Sequence, residues 1–233
     1  MTVFYQITDT HVPPEDGKPV RLNFLALMDY VAKNPADLLV LTGDLPGEDG
    51  SREIYEWMKA QLPANQKTVV IPGNHDDNRN LFEVFGEEMC VNHEFFHTLS
   101  LDEIDVVFTD SSSGTLPTVQ LDCLSSAAIR KHSVLFTHYP TRKISDGFMD
   151  STYPLNNLDQ VDATICNSKI DHVFCGHFHT EHQSLGAYDL HITPSPAFEV
   201  DLYSTEIKLS RARVPLRKIE IDGTKTTTEV IYL

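Results

Sequence analysis

Seven side chains able to bind metal, Asp9, His11, Asp44, Asn74, His138, His177 and His179, fall in five short clusters along the chain. The clusters are Asp9-Thr10-His11, Gly43-Asp44, Gly73-Asn74-His75-Asp76, Thr137-His138 and Gly176-His177-Phe178-His179. Carboxylate, amide and imidazole donors in this mixture suit Mn²⁺, Fe or Zn²⁺ and disfavour Ca²⁺ or a thiolate site. A lone Asp before a turn is usually a cap, and a lone His is usually a surface or satisfied core residue. Together and in this order they read as a two-metal site, able to hold an activated hydroxide beside a substrate oxygen.

Such residues must be brought together by the elements that carry them. Each cluster follows an apolar run rich in β-branched or aromatic residues, at 3–7, 38–41, 68–71, 134–136 and 173–175, and each run reads as a strand. In open α/β sheets the loops at the carboxyl ends of strands converge on one edge, so residues far apart in sequence meet there. Helical patterns at 22–32, 51–60, 78–85, 119–130 and 156–167 alternate with the strands and argue for an α/β fold. Ser51, with Ile54, Trp57 and Met58 behind it, predicts a capped amphipathic helix closed by Pro63. Segments 94–99 and 104–109, around a Leu101-Asp102-Glu103 turn, are antiparallel in character. So are 190–192, 197–202, 207–209, 214–221 and 226–232, with Gly223 punctuating the last hairpin. Two irregular stretches, 13–19 and 141–154, directly follow metal-ligating clusters and are expected to rim a pocket.

Composition narrows the partners. The 233 residues, 41% hydrophobic and 22% charged, fit a single domain over 1–233 with a C-terminal β-hairpin region at about 205–233. No apolar run approaches the roughly 18 residues of a membrane span, and no signal stretch precedes the first strand, so a cytoplasmic address is expected. Cys90, Cys123, Cys166 and Cys175 form no Cys-x-x-Cys pair and read as reduced thiols, Cys175 as a small buried hydrophobe. A net charge of −16 argues against long nucleic acid, whose binding depends on Lys and Arg, and favours a small substrate. The site itself would recruit an anion, because two divalent ions (about +4) against Asp9, Asp44 and a hydroxide leave roughly +1.

The five clusters, in this order from Asp9 to His179, resemble those of the calcineurin-like metallophosphoesterases, which run Asp-x-His, Gly-Asp, Gly-Asn-His-(Asp/Glu), His and Gly-His-x-His. Thr193-Pro194-Ser195-Pro196 looks like that family's closing strand segment. The resemblance implies two packed mixed β-sheets flanked by helices, a four-layer αββα sandwich. It also implies that Asp9, His11 and His179 hold one divalent ion, that Asn74, His138 and His177 hold the other, and that Asp44 bridges them. Asn74 and His75 would touch the phosphoryl group, and His75 would serve as the general acid, an imidazole being suited to proton transfer near neutral pH. Asp76 reads as a cap on the following helix, and Arg142 as a solvated side chain that could also reach phosphate. The remaining histidines, His93, His97, His132, His172, His182 and His191, read as structural or exposed.

Within that superfamily the chain looks most like the class III cyclic nucleotide phosphodiesterases and the glycerophosphodiesterases. The hints are Thr109-Asp110-Ser111, Gln120-Leu121-Asp122-Cys123-Leu124 and Thr137-His138-Tyr139-Pro140, the last lacking one histidine of the family's usual His-His-Pro. The downstream Asp-Arg pair of the protein phosphatases is missing after Gly43-Asp44, and the chain is short for the double-strand-break nuclease branch. The expected activity is hydrolysis of a small phosphodiester, such as cAMP or a glycerophosphodiester, by attack of a metal-bound hydroxide on phosphorus. A phosphomonoesterase or a catalytically inactive scaffold on the same fold are the alternatives. A homodimer is a possible assembly, because a terminal antiparallel strand offers an edge.

Overall fold

Strands with no polar face must be covered on both sides, and β1 (Thr2–Ile7), β2 (Leu38–Thr42) and β3 (Thr68–Ile71) are of this kind. In the computed structural model, which describes residues 1–47, 50–90, 94–101, 104–125 and 132–233, these three run parallel. They form one sheet with two antiparallel strands, β12 (Pro215–Asp222) and β13 (Lys225–Tyr232), in the order β13-β12-β1-β2-β3. The second sheet holds β4 (His97–Ser100), β5 (Asp105–Phe108), β6 (Ser133–Phe136), β7 (Ile170–Cys175), β8 (His182–Ser184) and β9 (Asp189–Ile192), ordered β4-β5-β6-β7-β9-β8. A small ribbon of β10 (Phe198–Val200) and β11 (Leu209–Arg211) stands apart.

Alternation along each strand divides the core into layers. Phe4, Leu38, Val40 and Ile71 face Phe108, Val134, Phe136 and Phe174 of the other sheet. Their sequence neighbours Tyr5, Leu39, Leu41 and Val70 turn outward onto α1 (Pro19–Lys33), α2 (Arg52–Gln61), α3 (Asn78–Phe85) and α4 (Glu87–Cys90). Likewise Val107, Leu135 and Val173 turn onto α5 (Thr118–Leu124) and α7 (Leu158–Cys166), with α6 (Phe148–Thr152) beside them. The result is the four-layer arrangement expected. One row of rings crosses the inner face of the second sheet in register. Phe108, Phe136 and Phe174 stack at 5.6 and 5.3 Å, and Phe136 meets Phe4 of the first sheet edge-on at 6.4 Å.

The two sheets are also tied by buried polar groups. Arg217 on β12 donates to Thr193 Oγ1 (2.8 Å) and to the Ile192 carbonyl (2.9 Å). Thr193 passes a hydrogen bond to Gln6 on β1, and Gln6 bonds Thr42 at the end of β2. The C-terminal hairpin is thereby anchored directly beneath the clustered loops.

Several expectations need correction. The 193–196 segment is not a strand: β9 ends at Ile192, and Pro194 and Pro196 lack the N–H groups a ladder needs. β9 pairs antiparallel with β8, as expected of the stretch after Gln183, but on its other side it pairs parallel with β7. Ser51 stands at the start of α2, but its side chain makes no capping bond. The 119–130 helix is α5 only as far as Leu124, its last residues lying outside the described ones, as do Asp102 and Glu103 of the expected turn. The irregular 141–154 stretch contains α6, and α4 went unforeseen.

Phe136 sits where both sheets meet, so Phe136→Ala is expected to lower unfolding free energy by about 3–5 kcal/mol. Chemical denaturation of the variant against the parent measures this, and a loss below about 1 kcal/mol would show that the inter-sheet core does not carry the fold.

Candidate metal centre

At the carboxyl ends of β1, β2, β3, β6 and β7 the chain turns abruptly. Asp9, His11, Asp44, His177 and His179 have φ of 52°, 41°, 52°, 65° and 58°, and Phe95 is the other described non-glycine residue with positive φ. Left-handed backbone costs such residues of order 1 kcal/mol or more, so the concentration of strain here is selective. It has a geometric purpose. Reversing the chain at both Asp9 and His11, and at both His177 and His179, turns side chains two residues apart into the same space.

Hydrogen bonds then lock the loops to one another. The Asp9 and His11 amides donate to the carbonyls of Gly43 and Asp44, and the Gly176 amide donates to the His138 carbonyl. The Asp9 carboxylate accepts from Thr8 Oγ1 (2.7 Å) and from the His177 amide (2.9 Å). Asp44 Oδ1 accepts from the His75 amide at 2.8 Å. Side-chain-free residues make this approach possible. A Cβ on Gly176 would lie 2.2 Å from Asp9 Oδ2, and one on Gly73 would lie 2.3 Å from Asp44 Oδ1.

Asp76 performs a task its sequence position did not suggest. Its carboxylate accepts from the amides of Asp44 (2.7 Å), Leu45 (3.3 Å) and Gly73 (2.8 Å) and from Tyr55 Oη (2.7 Å). It clamps the second loop to the third, while Asp77 caps α3 through the Asn80 amide. Arg142 is not solvated; it lies over the Tyr188 ring at 3.8 Å, facing Asp162.

Two groups of donors result, sharing Asp44. Asp9, His11, Asp44 and His179 form the first, and Asp44, His138 and His177 the second, each close enough to hold one ion. In the first, His179 Nε2 stands 3.1 Å from both Asp9 Oδ1 and His11 Nε2. In the second, His138 Nε2 lies 3.4 Å from Asp44 Oδ2 and 3.3 Å from Asn74 Oδ1. The opposite ring nitrogens are occupied. His138 Nδ1 donates to the Thr42 carbonyl (2.8 Å) and His177 Nε2 to the Tyr153 carbonyl (3.0 Å), which leaves His177 Nδ1, and His138 Nε2 once it is deprotonated, as the ring atoms available to a metal. Imidazole nitrogens and carboxylate oxygens converging at a largely buried site fit divalent cations.

His172, Asp189 and His191 also cluster, on β7 and β9. There His172 Nδ1 and His191 Nε2 face each other at 3.2 Å as a hydrogen-bonded pair, and His132 similarly pairs with Asp171. His93 lies outside the described residues.

Burial and charge oppose one another at the centre. Burial alone would raise both carboxyls, yet His179 and His138 pull Asp9 down to about 2, and His138 and His11 hold Asp44 below the ordinary range. Burial pushes His11 down to about 4, helped by His179, and pushes His177 down to about 3, helped by His138. Burial would lower His138 too, but Asp44 and Asp9 raise it to about 10. Without metal, His138 is thus the cation that the two aspartates retain at neutral pH.

Above the donors opens a cavity of about 160 Å³, floored by Asp44, Asn74, His75 and His177 and walled by Met149, Tyr153, Phe198, Val200 and Ile207. A second lobe of about 370 Å³ shares His11, His75 and Phe198 with it and runs out along Pro13, Pro14, Glu15 and Val20. The 13–19 and 141–154 stretches therefore rim the cavity. The wall from the β10–β11 ribbon was not anticipated, because nothing in its residue types marks it as belonging to a site.

Comparison with known proteins agrees with this geometry. The sequence model for calcineurin-like phosphoesterases matches residues 2–181. The chain belongs to that family. A Fibrobacter succinogenes protein named "Probable cyclic nucleotide phosphodiesterase" is 32% identical over 237 residues, covering 97% of this chain and 92% of the relative. The Escherichia coli K12 3',5'-cyclic adenosine monophosphate phosphodiesterase CpdA is 22% identical, covering 95% of this chain and 86% of its own. Among solved structures, a dimetal phosphatase from Danio rerio superposes with a TM-score of 0.69 at 11% identity, covering 99% of this chain and 98% of that one, a likeness of fold.

As a ligand, His138 Nε2 would have to give up its proton, so loading would release protons and apparent affinity would rise with pH. The expected gain is about tenfold per pH unit for one displaced proton, continuing until pH passes about 10. Calorimetric titration of Mn²⁺ into metal-free protein, in two buffers of different ionisation enthalpy, counts the protons released. Heats independent of buffer would contradict a protonated His138.

Proposed function

We propose that this phosphoesterase hydrolyses a small phosphodiester, and foremost a 3',5'-cyclic nucleotide such as cAMP. Charge carries the reading. Neither lobe of the cavity is lined by a described lysine or arginine. Two divalent ions with Asp9, Asp44 and a hydroxide leave roughly +1, which balances the single charge of a diester and falls short of a monoester dianion. The names of the two curated relatives support the same choice of substrate, and the apolar wall of Met149, Phe198 and Val200 supports a ligand with an organic body rather than a bare phosphate.

In this reading Asp9, His11 and His179 hold one ion, Asn74, His138 and His177 the other, and Asp44 spans them. The mixed oxygen and imidazole set suits Mn²⁺, Fe or Zn²⁺. When bound, the pair polarises a phosphoryl oxygen and makes hydroxide available at neutral pH. The chain's own residues do the rest. Thr42 and Tyr153 carbonyls fix the rings of His138 and His177, and Asp76 fixes the loops that carry Asp44 and Asn74. Asn74 and His75 are the exposed polar groups on the cavity floor and would contact the phosphoryl group. His75, held through its amide on Asp44 and edge-on to His11 at 5.2 Å, would deliver a proton to the leaving oxygen. Four free thiols and a small anionic substrate suit a reducing, cytoplasmic setting.

Hydrolysis of cAMP and of bis(4-nitrophenyl) phosphate, with 4-nitrophenyl phosphate as the monoester control, tests this before and after Mn²⁺ is restored to stripped protein. The expected result is metal-dependent diester turnover, with kcat reduced about 10²- to 10⁴-fold in His75→Ala at unchanged metal content. Turnover of the monoester alone would overturn the diester assignment. No turnover by fully metal-loaded protein would favour a binding role for the fold.

A further inference from the structure

Four strands end the two large sheets, and three of them are short: β3 and β4 have four residues each and β8 has three. β13 has eight, paired on one side only, by β12. A long edge presents unpaired backbone donors and acceptors, a surface that other chains can extend. Its upper end is covered, since Tyr232 bonds Glu181 and lies under the Arg213 guanidinium at 3.5 Å. The stretch from Lys225 to Val230 has no such cover among the described residues.

The turn before it sets which groups face outward. Gly223, with φ of 62°, and Thr224 form a two-residue turn that pairs Asp222 with Lys225. The residues closing such a turn exchange hydrogen bonds, so Lys225, Thr227 and Glu229 direct their backbone groups toward β12. By alternation Thr226, Thr228 and Val230 direct theirs to the free edge.

The side chains on this edge are self-complementary. Lys225, Thr227 and Glu229 are exposed on the outer face, while Thr226 and Thr228 are half-buried on the inner face. A two-fold axis normal to the sheet keeps inner residues inner and outer residues outer. Centred on Thr227, it sets Lys225 of each copy opposite Glu229 of the other, Thr227 opposite Thr227, and Thr226 opposite Thr228. Centring it on Thr226 or Thr228 loses the charge match. The Lys225 and Glu229 pairs then fall at non-hydrogen-bonded positions, where opposed side chains lie closest. Lys225 has no ion-pair partner among the described residues; Glu229 stands opposite Lys218 of β12, whose ammonium pairs with Glu220 instead, and the buried Thr226 Oγ1 has no hydrogen-bond partner there.

We propose that two copies of this chain pair β13 to β13, antiparallel about Thr227, joining their first sheets into one continuous ten-stranded sheet. The partner is a second copy rather than a foreign strand because the edge carries the complement of its own charges. Both cavities stay open, as the paired stretch lies at the end of β13 remote from Tyr232.

Sedimentation equilibrium of the intact protein, with Lys225→Glu and with the exchange Lys225→Glu/Glu229→Lys, tests the register. These are exposed positions, and circular dichroism serves as the fold control. The wild type is expected at twice the mass of one chain. Lys225→Glu, which opposes two glutamates at both ends of the contact, should weaken association about tenfold or more, and the charge exchange should restore it. A monomeric wild type overturns the proposal. So does a Lys225→Glu dimer of undiminished affinity, or an exchange variant that stays as weak as the single one.

Discussion

Two buried carboxylates, Asp9 and Asp44, stand at the mouth between the sheets and must be matched by positive charge. Charge this deep is costly unless paired or coordinated, and the surrounding structure is arranged to supply the pairing. Four imidazoles surround the aspartates, two of them pushed toward their neutral, metal-ready forms and one raised until it holds a proton. The same electrostatic demand that would destabilise an empty apolar core makes this a place suited to cations.

Meeting that demand depends on backbone geometry more than on side-chain choice. Parallel strands from two sheets deliver five loops to one edge, but delivery alone would leave the donors pointing apart. Left-handed turns at Asp9, His11, Asp44, His177 and His179 fold three of these loops back on themselves, and the bare backbones of Gly73 and Gly176 let neighbouring loops touch. The Asp76 carboxylate and the chain of bonds from Arg217 through Thr193 to Gln6 hold these turns in place from either side. Strain in the loops is thus balanced by a rigid sandwich beneath them, whose row of Phe108, Phe136 and Phe174 leaves little room to relax.

Much of this was legible in the residues. Apolar runs ending in Asp, Asn or His marked the strands and the loops together, because a strand buried on both faces needs continuous hydrophobicity and its polar terminus needs a reason. What escaped notice lacked a local signature. The clamp by Asp76 depends on three amides from two different loops, and neither its spacing nor its type separates it from a helix cap. The β10–β11 ribbon contributes Phe198 and Val200 to the cavity through tertiary placement alone. Thr193-Pro194-Ser195-Pro196 read as a strand by resemblance, yet its prolines force an irregular path along which Ser195 reaches the Asp9 carbonyl. Parallel pairing of β9 with β7 was hidden because strand direction is set by the connection, which no periodicity reports.

The proposed centre depends on Asp44 joining two cations into one unit. Electron paramagnetic resonance of the protein loaded with two equivalents of Mn²⁺ examines this directly. An exchange-coupled pair is expected, replaced in Asp44→Asn by the signal of isolated ions. Two uncoupled Mn²⁺ centres in the unaltered protein would contradict a bridged centre.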